Sequence, residues 1–230
     1  MADDNKPLKP AWPAGRYMRY AIGEIVLVVI GILIALQINN WNEERKEKIE
    51  LENYLIQMKV ELSLDIESYD QIIGGNNERI KFLTSVSQGE YSDLKIESLP
   101  GIITTIIPDI NFGITYNSLR VEGMFNTIDN PQLKNDIATY YDWDCKKYLE
   151  WANWHKKFVT ETIENYVVLN LPVRSGLLVD SEKLIYEIEN GQLLSLINYQ
   201  LHAFESSSAV MERNRVYAKQ LILLLESEVQ

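Results

Sequence analysis

The chain has 230 residues, a formal net charge of −11 and a single cysteine, Cys145. The acidic balance argues against nucleic acid as a partner, because a phosphate backbone requires a basic binding surface. One cysteine excludes an intrachain disulfide framework and a multi-cysteine zinc site. The sequence has no Gly-rich phosphate loop and no cluster of Cys and His, so it predicts no catalytic site, metal site or cofactor.

Residues 1–15 form a polar tail that contains three prolines, Pro7, Pro10 and Pro13. A tail of this composition is typically extended or disordered. We therefore expect no helix or strand before the apolar segment that follows.

An apolar segment occupies residues 16–41 and is uninterrupted between Ile25 and Leu36. A helix over residues 17–38 would rise about 33 Å, enough to cross a hydrocarbon core of roughly 30 Å. Aromatic and basic side chains at both ends are typical of the membrane–water interface. We therefore predict one transmembrane helix in contact with lipid. Its interface anchors are Arg16, Tyr17, Arg19, Tyr20 and Trp41.

Two other interpretations of this segment fit less well. A cleaved signal peptide has an apolar core of similar size, but Ala35-Leu36-Gln37 is a poor cleavage site. A buried helix of a soluble protein would not need the aromatic and charged residues that flank this one.

The predicted span contains one carboxylate and several small residues. Because a charge is costly in lipid, we interpret Glu24 as reaching the interface or pairing with Arg19 or a neighbouring subunit. Gly31 and Ala35 form a pair of small residues four positions apart, and Gly23 lies on about the same side two turns earlier. Small residues let another helix approach closely. We therefore predict a contact with another membrane helix at Gly23, Glu24, Gly31 and Ala35.

The orientation of the span has little support from charge, because basic residues are nearly balanced on its two sides. Long domains after a span translocate largely regardless of their charge. We therefore expect a cytoplasmic N-terminus and a C-terminal domain on the other side of the membrane.

Residues 42–230 are predicted to form a helical domain. Apolar residues recur every three or four positions along residues 42–73, which predicts one long helix that continues from the span. We expect this helix to end at the adjacent glycines Gly74 and Gly75. An asparagine directly after them, Asn76 or Asn77, would cap a second helix that closes at Gly89.

The rest of the domain is predicted as an irregular segment, 90–114, followed by helices. The run IITTII within this segment is compatible with a short buried helix or with a strand. A short helix then stops at Gly123, and the proline after Asn130 is a good helix start. Further helices are expected at 131–171, at about 180–191 and at 192–228. The chain is therefore predicted to be mainly α, with one transmembrane helix continuing into an extramembrane helical bundle.

Aromatic residues are dense between positions 140 and 158. Trp151 falls on the main apolar stripe, whereas Trp143 and Trp154 lie off it, so some rings must face elsewhere. Aromatic side chains suit both a core and a protein interface. We interpret the group as core plus protein interface, with Trp143, Trp151 and Trp154 as candidate interface residues. A ligand cleft between helices is the alternative.

The two histidines are assigned to packing or to the surface. His155 and Cys145 are ten positions apart on one predicted helix, so they cannot form a nucleophile pair. His202 and His155 alone are too few to bind a metal. Asp142 and Asp144 would lie on different faces of their helix and predict no acid–base pair.

Three segments of the chain resemble a family of uncharacterised single-pass membrane proteins that is widespread in Bacteroidetes. These segments are YAIGEIVLVVIGILIALQINNWNEERKEK, from Tyr20 to Lys48, then TYNSLRVEG and NTIDNPQLKNDIATYY. The resemblance implies a bacterial inner-membrane anchor and a mostly helical domain, here expected in the periplasm. It implies no activity, cofactor or catalytic residue. The proline-containing, modestly charged tail departs from the more basic tails of the family.

We therefore expect a non-catalytic, membrane-anchored accessory or structural subunit. It would dock on a larger membrane-protein complex, of a respiratory or photosynthetic type, or on its own copies. The alternative is a membrane-tethered helical sensor domain that binds a small ligand near Tyr140, Trp151 or His155. The short N-terminal tail makes the alternative less favourable, since it leaves no room for an output domain.

Overall fold

The computed structural model describes residues 14–171, 173–174, 177–178 and 180–228. Residues 1–13 of the predicted tail, 1–15, lie outside the described residues, and its last two residues begin a helix instead of being extended. The chain divides into two compact units, Met1–Glu50 and Leu51–Gln230, which are described separately below.

Helix α1, Ala14–Ser87, begins two residues before the predicted span. Its N-terminal part is long and apolar enough to cross a membrane, and none of its most apolar stretch is buried within the structure. The side chains from Met18 to Trp41 are all exposed. This agrees with a helix whose apolar surface is covered by lipid or by another protein rather than by its own chain.

The predicted helix end at Gly74 and Gly75 is wrong, because α1 passes through both residues. A glycine usually ends a helix by adopting a positive φ, and after these two residues the first such glycine is Gly89, with φ 76°. Leu83 and Val86, on the last turns of α1, are fully buried. Burial of these side chains offsets the roughly 1 kcal/mol that each helical glycine costs.

The prediction that Asn76 caps a second helix is wrong, because this residue lies within α1. Its side chain instead joins α1 to the last helix, α8, Leu193–Glu228. Its side chain is 1 % exposed and donates a hydrogen bond to the Ser208 hydroxyl at 3.3 Å. Lys59 pairs with Glu226 at 3.4 Å nearer the other end of α8. Lys59 thus meets the end of α8, while the later residue Asn76 meets its middle, so α8 packs antiparallel to this part of α1.

The segment predicted to be irregular contains short helical elements. A 3₁₀ turn, Ile96–Ser98, leads into α2, Leu99–Ile103, and the run IITTII therefore begins in a helix and not in a strand. Helix α3, Ile114–Val121, follows and is succeeded by a 3₁₀ turn at Met124–Thr127.

Helix α4, Pro131–Ala138, starts at the capping residue Asn130. The Asn130 side-chain oxygen accepts hydrogen bonds from the backbone N–H groups of Gln132 and Leu133 at 3.1 and 3.2 Å. The helical path then continues to Asn170 with two interruptions by wider π turns. Its parts are the first π segment Thr139–Cys145, α5 Lys146–Phe158, the second π segment Val159–Ile163, and α6 Glu164–Asn170.

The strands β1, Val173–Arg174, and β2, Leu177–Leu178, form a two-residue antiparallel ladder. Helix α7, Ser181–Asn190, begins at Asp180, whose carboxylate accepts the backbone N–H of Lys183 at 3.0 Å. The described chain is mainly helical, with one long apolar N-terminal helix followed by further helices, which confirms the predicted fold class.

Candidate functional site

A polar cluster is buried where side chains of α1, the first π segment and α8 meet. The wider turns of the π segment bring the neighbouring residues Tyr140 and Tyr141 into the core together, at 0 % and 6 % exposure. Cys145, at the end of the same segment, is 1 % exposed. Because π turns within helices frequently occur at functional sites, this segment is a candidate site.

Hydrogen bonds connect two tyrosines of the cluster to a carboxyl group of α1. The Tyr140 hydroxyl donates to Asp65 Oδ2 at 3.2 Å. The Tyr69 and Tyr140 hydroxyl oxygens are 3.0 Å apart. Since Tyr140 has one hydroxyl hydrogen and gives it to Asp65, Tyr69 is the donor to Tyr140. The chain of hydrogen bonds therefore ends on Asp65, which is 7 % exposed.

The Asp65 carboxyl group is the most perturbed acid of the described domain. Burial raises its pKa from 3.8 to about 7, the Tyr140 hydrogen bond lowers it, and the negative charge of Glu61 raises it. Glu61 itself accepts the Thr115 hydroxyl at 2.6 Å and the Thr115 backbone N–H at 3.1 Å. Asp65 thus gains and loses its proton near neutral pH. No cationic side chain in the described part of the domain is among the groups that shift its pKa.

The remaining members of the cluster are neutral at physiological pH. Burial raises the pKa values of the Tyr69 and Tyr140 hydroxyls and of the Cys145 thiol far above neutrality. A thiolate is the reactive form of cysteine, so Cys145 is not a nucleophile in this environment. The cluster therefore has one group, Asp65, that changes charge in the physiological range.

Asn214 brings α8 into the cluster. It is fully buried, and neither its amide nitrogen nor its amide oxygen meets hydrogen-bond geometry with another group. Burial is the main cause of the raised pKa of Tyr69. The Asn214 amide lies close enough to the Tyr69 hydroxyl to lower that pKa through a hydrogen bond. A buried polar group without a hydrogen bond costs about 1–3 kcal/mol, so the stability of the core depends on how well the Tyr69 hydroxyl satisfies this amide.

Asp65 lines the floor of a surface groove of about 440 Å³ between α1 and the segment 108–111. The cluster therefore has an opening to solvent on one side. The groove is lined by Leu64, Asp65, Ser68, Gln71, Ile72, Pro108, Asp109, Ile110 and Asn111.

Asp65 was not among the residues predicted from the sequence. The residue lies three positions after Leu62 and four before Tyr69, which are among the apolar residues that recur every three or four positions along residues 42–73. A carboxylate at a core position of a helix is unusual, since acids are almost never fully buried unless they are paired. The helical spacing of Asp65 from Leu62 and Tyr69 was therefore the sequence feature that indicated a buried carboxylate.

Asp142 and Asp144 lie in different environments, as their spacing predicts. Asp142 is exposed and accepts hydrogen bonds from Arg120 at 2.7 Å and from the Tyr116 hydroxyl at 2.8 Å. Asp144 is 8 % exposed and pairs with Arg213 of α8 at 3.2 Å.

His155 is a packing residue. It is fully buried, and its Nδ1 accepts the backbone N–H of Ile107 at 3.3 Å. Its Nε2 therefore carries the hydrogen and donates to Gln200 Oε1 at 3.0 Å. Burial lowers the pKa of His155, so the ring is neutral and holds the segment around Ile107 against α5.

The three candidate interface tryptophans have different exposures. Trp143 is 58 % exposed, and the Lys147 ammonium lies 3.7 Å from its ring centroid. Trp154 is 45 % exposed and stacks on Phe158 at 5.7 Å between ring centroids. Trp151 is half-buried and packs against the core. The structure thus leaves two of the three rings available at the surface.

The predicted membrane contact residues are all exposed on α1. Glu24, Gly31 and Ala35 are separated by seven and four positions, so they share one helix face. A side chain added at Gly23 or at Gly31 would meet no other atom within 4 Å.

The predicted interface anchors Arg19, Tyr20 and Trp41 are exposed as well. Arg16 and Tyr17 belong to α1, and their side chains lie outside the described part of the structure.

Among the described residues, no group of three or more His, Cys, Asp or Glu side chains is placed to hold a metal ion.

Residues 24–128 match the model of a family of unknown function, DUF6090. The match covers somewhat less than half of the chain and includes the predicted span from Glu24 onward, Asp65 and Tyr69. It confirms the resemblance to a family without an established function. No curated protein and no solved structure matches the chain.

Proposed function

We propose that this protein, whose residues 24–128 match a family without an assigned activity, is a non-catalytic, single-pass membrane subunit. It would dock on a larger membrane-protein complex, respiratory or photosynthetic in type, or on its own copies. The observation that carries the proposal is the uncovered face of α1 with Glu24, Gly31 and Ala35.

This face combines a carboxylate with a flat surface. Lipid can cover the apolar side chains of α1 but cannot satisfy Glu24, whose burial in a membrane is expensive. Gly31 has no side chain and Ala35 has one methyl group, so a second helix can approach the backbone closely. A partner helix would therefore shield Glu24 and gain packing from the two small residues.

Exposed aromatic rings of the domain support a docking role. Trp154, Phe158 and Tyr199 form a surface group in which Phe158 and Tyr199 are 4.6 Å apart between ring centroids. Trp143 lies exposed on the same helical path. Aromatic side chains are enriched at protein interfaces because each buries a large area with little loss of side-chain freedom.

We place the protein in the bacterial inner membrane, with the N-terminus in the cytoplasm and the domain in the periplasm. The resemblance to single-pass proteins supports the compartment, and the long C-terminal domain supports the orientation.

The test is gentle-detergent extraction from the native membrane followed by native mass spectrometry. We expect stoichiometric co-purification with another membrane protein or a homo-oligomer of fixed size. Replacing Trp143 and Trp154 together by Ala should weaken that assembly, whereas Tyr186→Ala, which removes an exposed ring on α7, should not. A monomer at every detergent concentration would contradict the proposal.

The second candidate function is a membrane-tethered ligand-binding domain. The observation that favours it is the groove above Asp65, which Tyr140, Trp151 and His155 do not line, although Tyr140 donates a hydrogen bond to Asp65.

A further inference from the structure

We propose that the groove above Asp65 binds a small organic ammonium ion with a short carbon body. The inference deepens the second candidate function and does not depend on the docking role of the protein. It rests on the size of the groove, the chemistry of its walls and the charges around its floor.

The groove has the size of a small-molecule site. Its volume of about 440 Å³ is within the range of about 300–1,000 Å³ that is usual for ligand pockets. Leu64, Ile72 and Ile110 supply apolar wall, and Asp65 supplies a carboxylate at the floor. A ligand that suits both features has a carbon body and a cationic end.

The charges around the floor are negative. Glu61, on the preceding turn of α1, acts on Asp65 as a second negative charge. Asp109 lines the same groove from the opposite wall. A buried carboxylate is normally paired with a cation, because burial of an unpaired charge is costly. An ammonium ion would supply the missing charge.

The arginines of α8 are engaged elsewhere. Arg213 pairs with Asp144 of the first π segment at 3.2 Å, and Arg215 pairs with Asp70 and with Glu212. Neither arginine is among the charges that act on Asp65. No cationic side chain of the described chain is among the groups that shift the pKa of Asp65, so the cation for the groove would come from outside it.

An ammonium ion fits the walls better than a metal ion does. The described residues offer no group of three acidic, His or Cys side chains for a metal, and a bare ion would leave the apolar side chains Leu64, Ile72 and Ile110 without a contact. The three N–H groups of a primary ammonium can instead be shared among the oxygens of Asp65, Asp109 and Asn111, which line one groove.

Binding should be coupled to a proton on Asp65. Burial raises the pKa of this carboxyl to about 7, and an ammonium ion binds the ionised form. The affinity should therefore rise about tenfold per pH unit below the pKa and level off above it. The Tyr140 hydrogen bond assists by stabilising the ionised carboxylate.

The experiment is isothermal titration of the full-length protein in lipid nanodiscs with n-butylammonium chloride, from pH 5.5 to 8.5 at constant ionic strength. We expect saturable binding at pH 8 that weakens about tenfold per unit below pH 7. Asp65→Asn should weaken binding at pH 8 by more than about tenfold, and Asp109→Asn less. Asp93→Asn removes an exposed carboxylate that does not line the groove and should leave binding unchanged.

Circular dichroism should report native helix content for Asp65→Asn, because asparagine resembles the protonated carboxyl in shape. If that variant fails to fold, the wild-type pH profile and Asp109→Asn carry the test. Three results would overturn the proposal: no binding of n-butylammonium at pH 8, binding without the pH profile, or a response only to Mg²⁺ or Ca²⁺. None of these results bears on co-purification with a membrane partner, so the two proposals fail separately.

Discussion

The Asp65 carboxyl group should make the domain less stable as the pH rises, and Asp65→Asn should remove this effect. The pKa of Asp65 is raised from 3.8 to about 7 by burial. The folded protein therefore holds a proton that the unfolded chain releases at lower pH. The stabilisation is fully present below pH 4, decreases between pH 4 and 7, and is absent above pH 7.

The shift of about three pKa units corresponds to about 4 kcal/mol between pH 4 and pH 8. Other carboxylates also titrate in this range, so the difference between wild type and Asp65→Asn is the relevant quantity. The assay is chemical denaturation of both proteins at a series of pH values, followed by circular dichroism. The free energy of unfolding of the variant, relative to wild type, should rise by several kcal/mol from pH 4 to pH 8. Parallel pH profiles for the two proteins would refute the reasoning, and Asp93→Asn, which removes an exposed carboxylate, serves as the control.

Three further changes test the core and the course of α1 by the same denaturation assay. Tyr140→Phe removes the donor to Asp65 and should cost about 1–3 kcal/mol at pH 8, where the carboxylate is ionised, and less at pH 5; equal losses at both pH values would contradict the hydrogen-bond chain. Asn214→Leu replaces an unsatisfied buried amide and should stabilise the domain by about 1 kcal/mol or more; destabilisation would mean that the amide has a partner in the folded protein. Gly74→Ala should stabilise α1 by up to about 1 kcal/mol, because a methyl group there meets nothing within 4 Å. The matched change Gly89→Ala should destabilise the domain, because alanine is strained at the φ of +76° that Gly89 adopts. A loss of stability for Gly74→Ala would contradict a continuous helix.

Local chemistry predicted several elements of the fold. The apolar length of residues 16–41 specified a helix that could cross a membrane, because span length follows from rise per residue. The Asn130–Pro131 pair specified a helix start, since the asparagine oxygen accepts the first free N–H groups and proline lacks one. These features depend on neighbours in sequence alone.

Features that depend on distant neighbours could not be predicted in this way. Gly74 and Gly75 look like a helix end, yet contacts of later α1 residues with the core keep the helix continuous. The π turns at Tyr140 and Tyr141 follow from the packing of both rings in the core. The Asp65 cluster joins residues far apart in the chain, so no local pattern could reveal its hydrogen bonds.

The most direct test of a docking membrane subunit compares three proteins extracted gently from the native membrane by native mass spectrometry. Gly31→Leu fills the flat face of α1, while Val26→Phe adds bulk on the opposite side of the same helix. The account predicts an assembly for wild type and for Val26→Phe, and loss of that assembly for Gly31→Leu. Equal assembly of all three proteins, or a monomer in each case, would contradict the proposed role of this face.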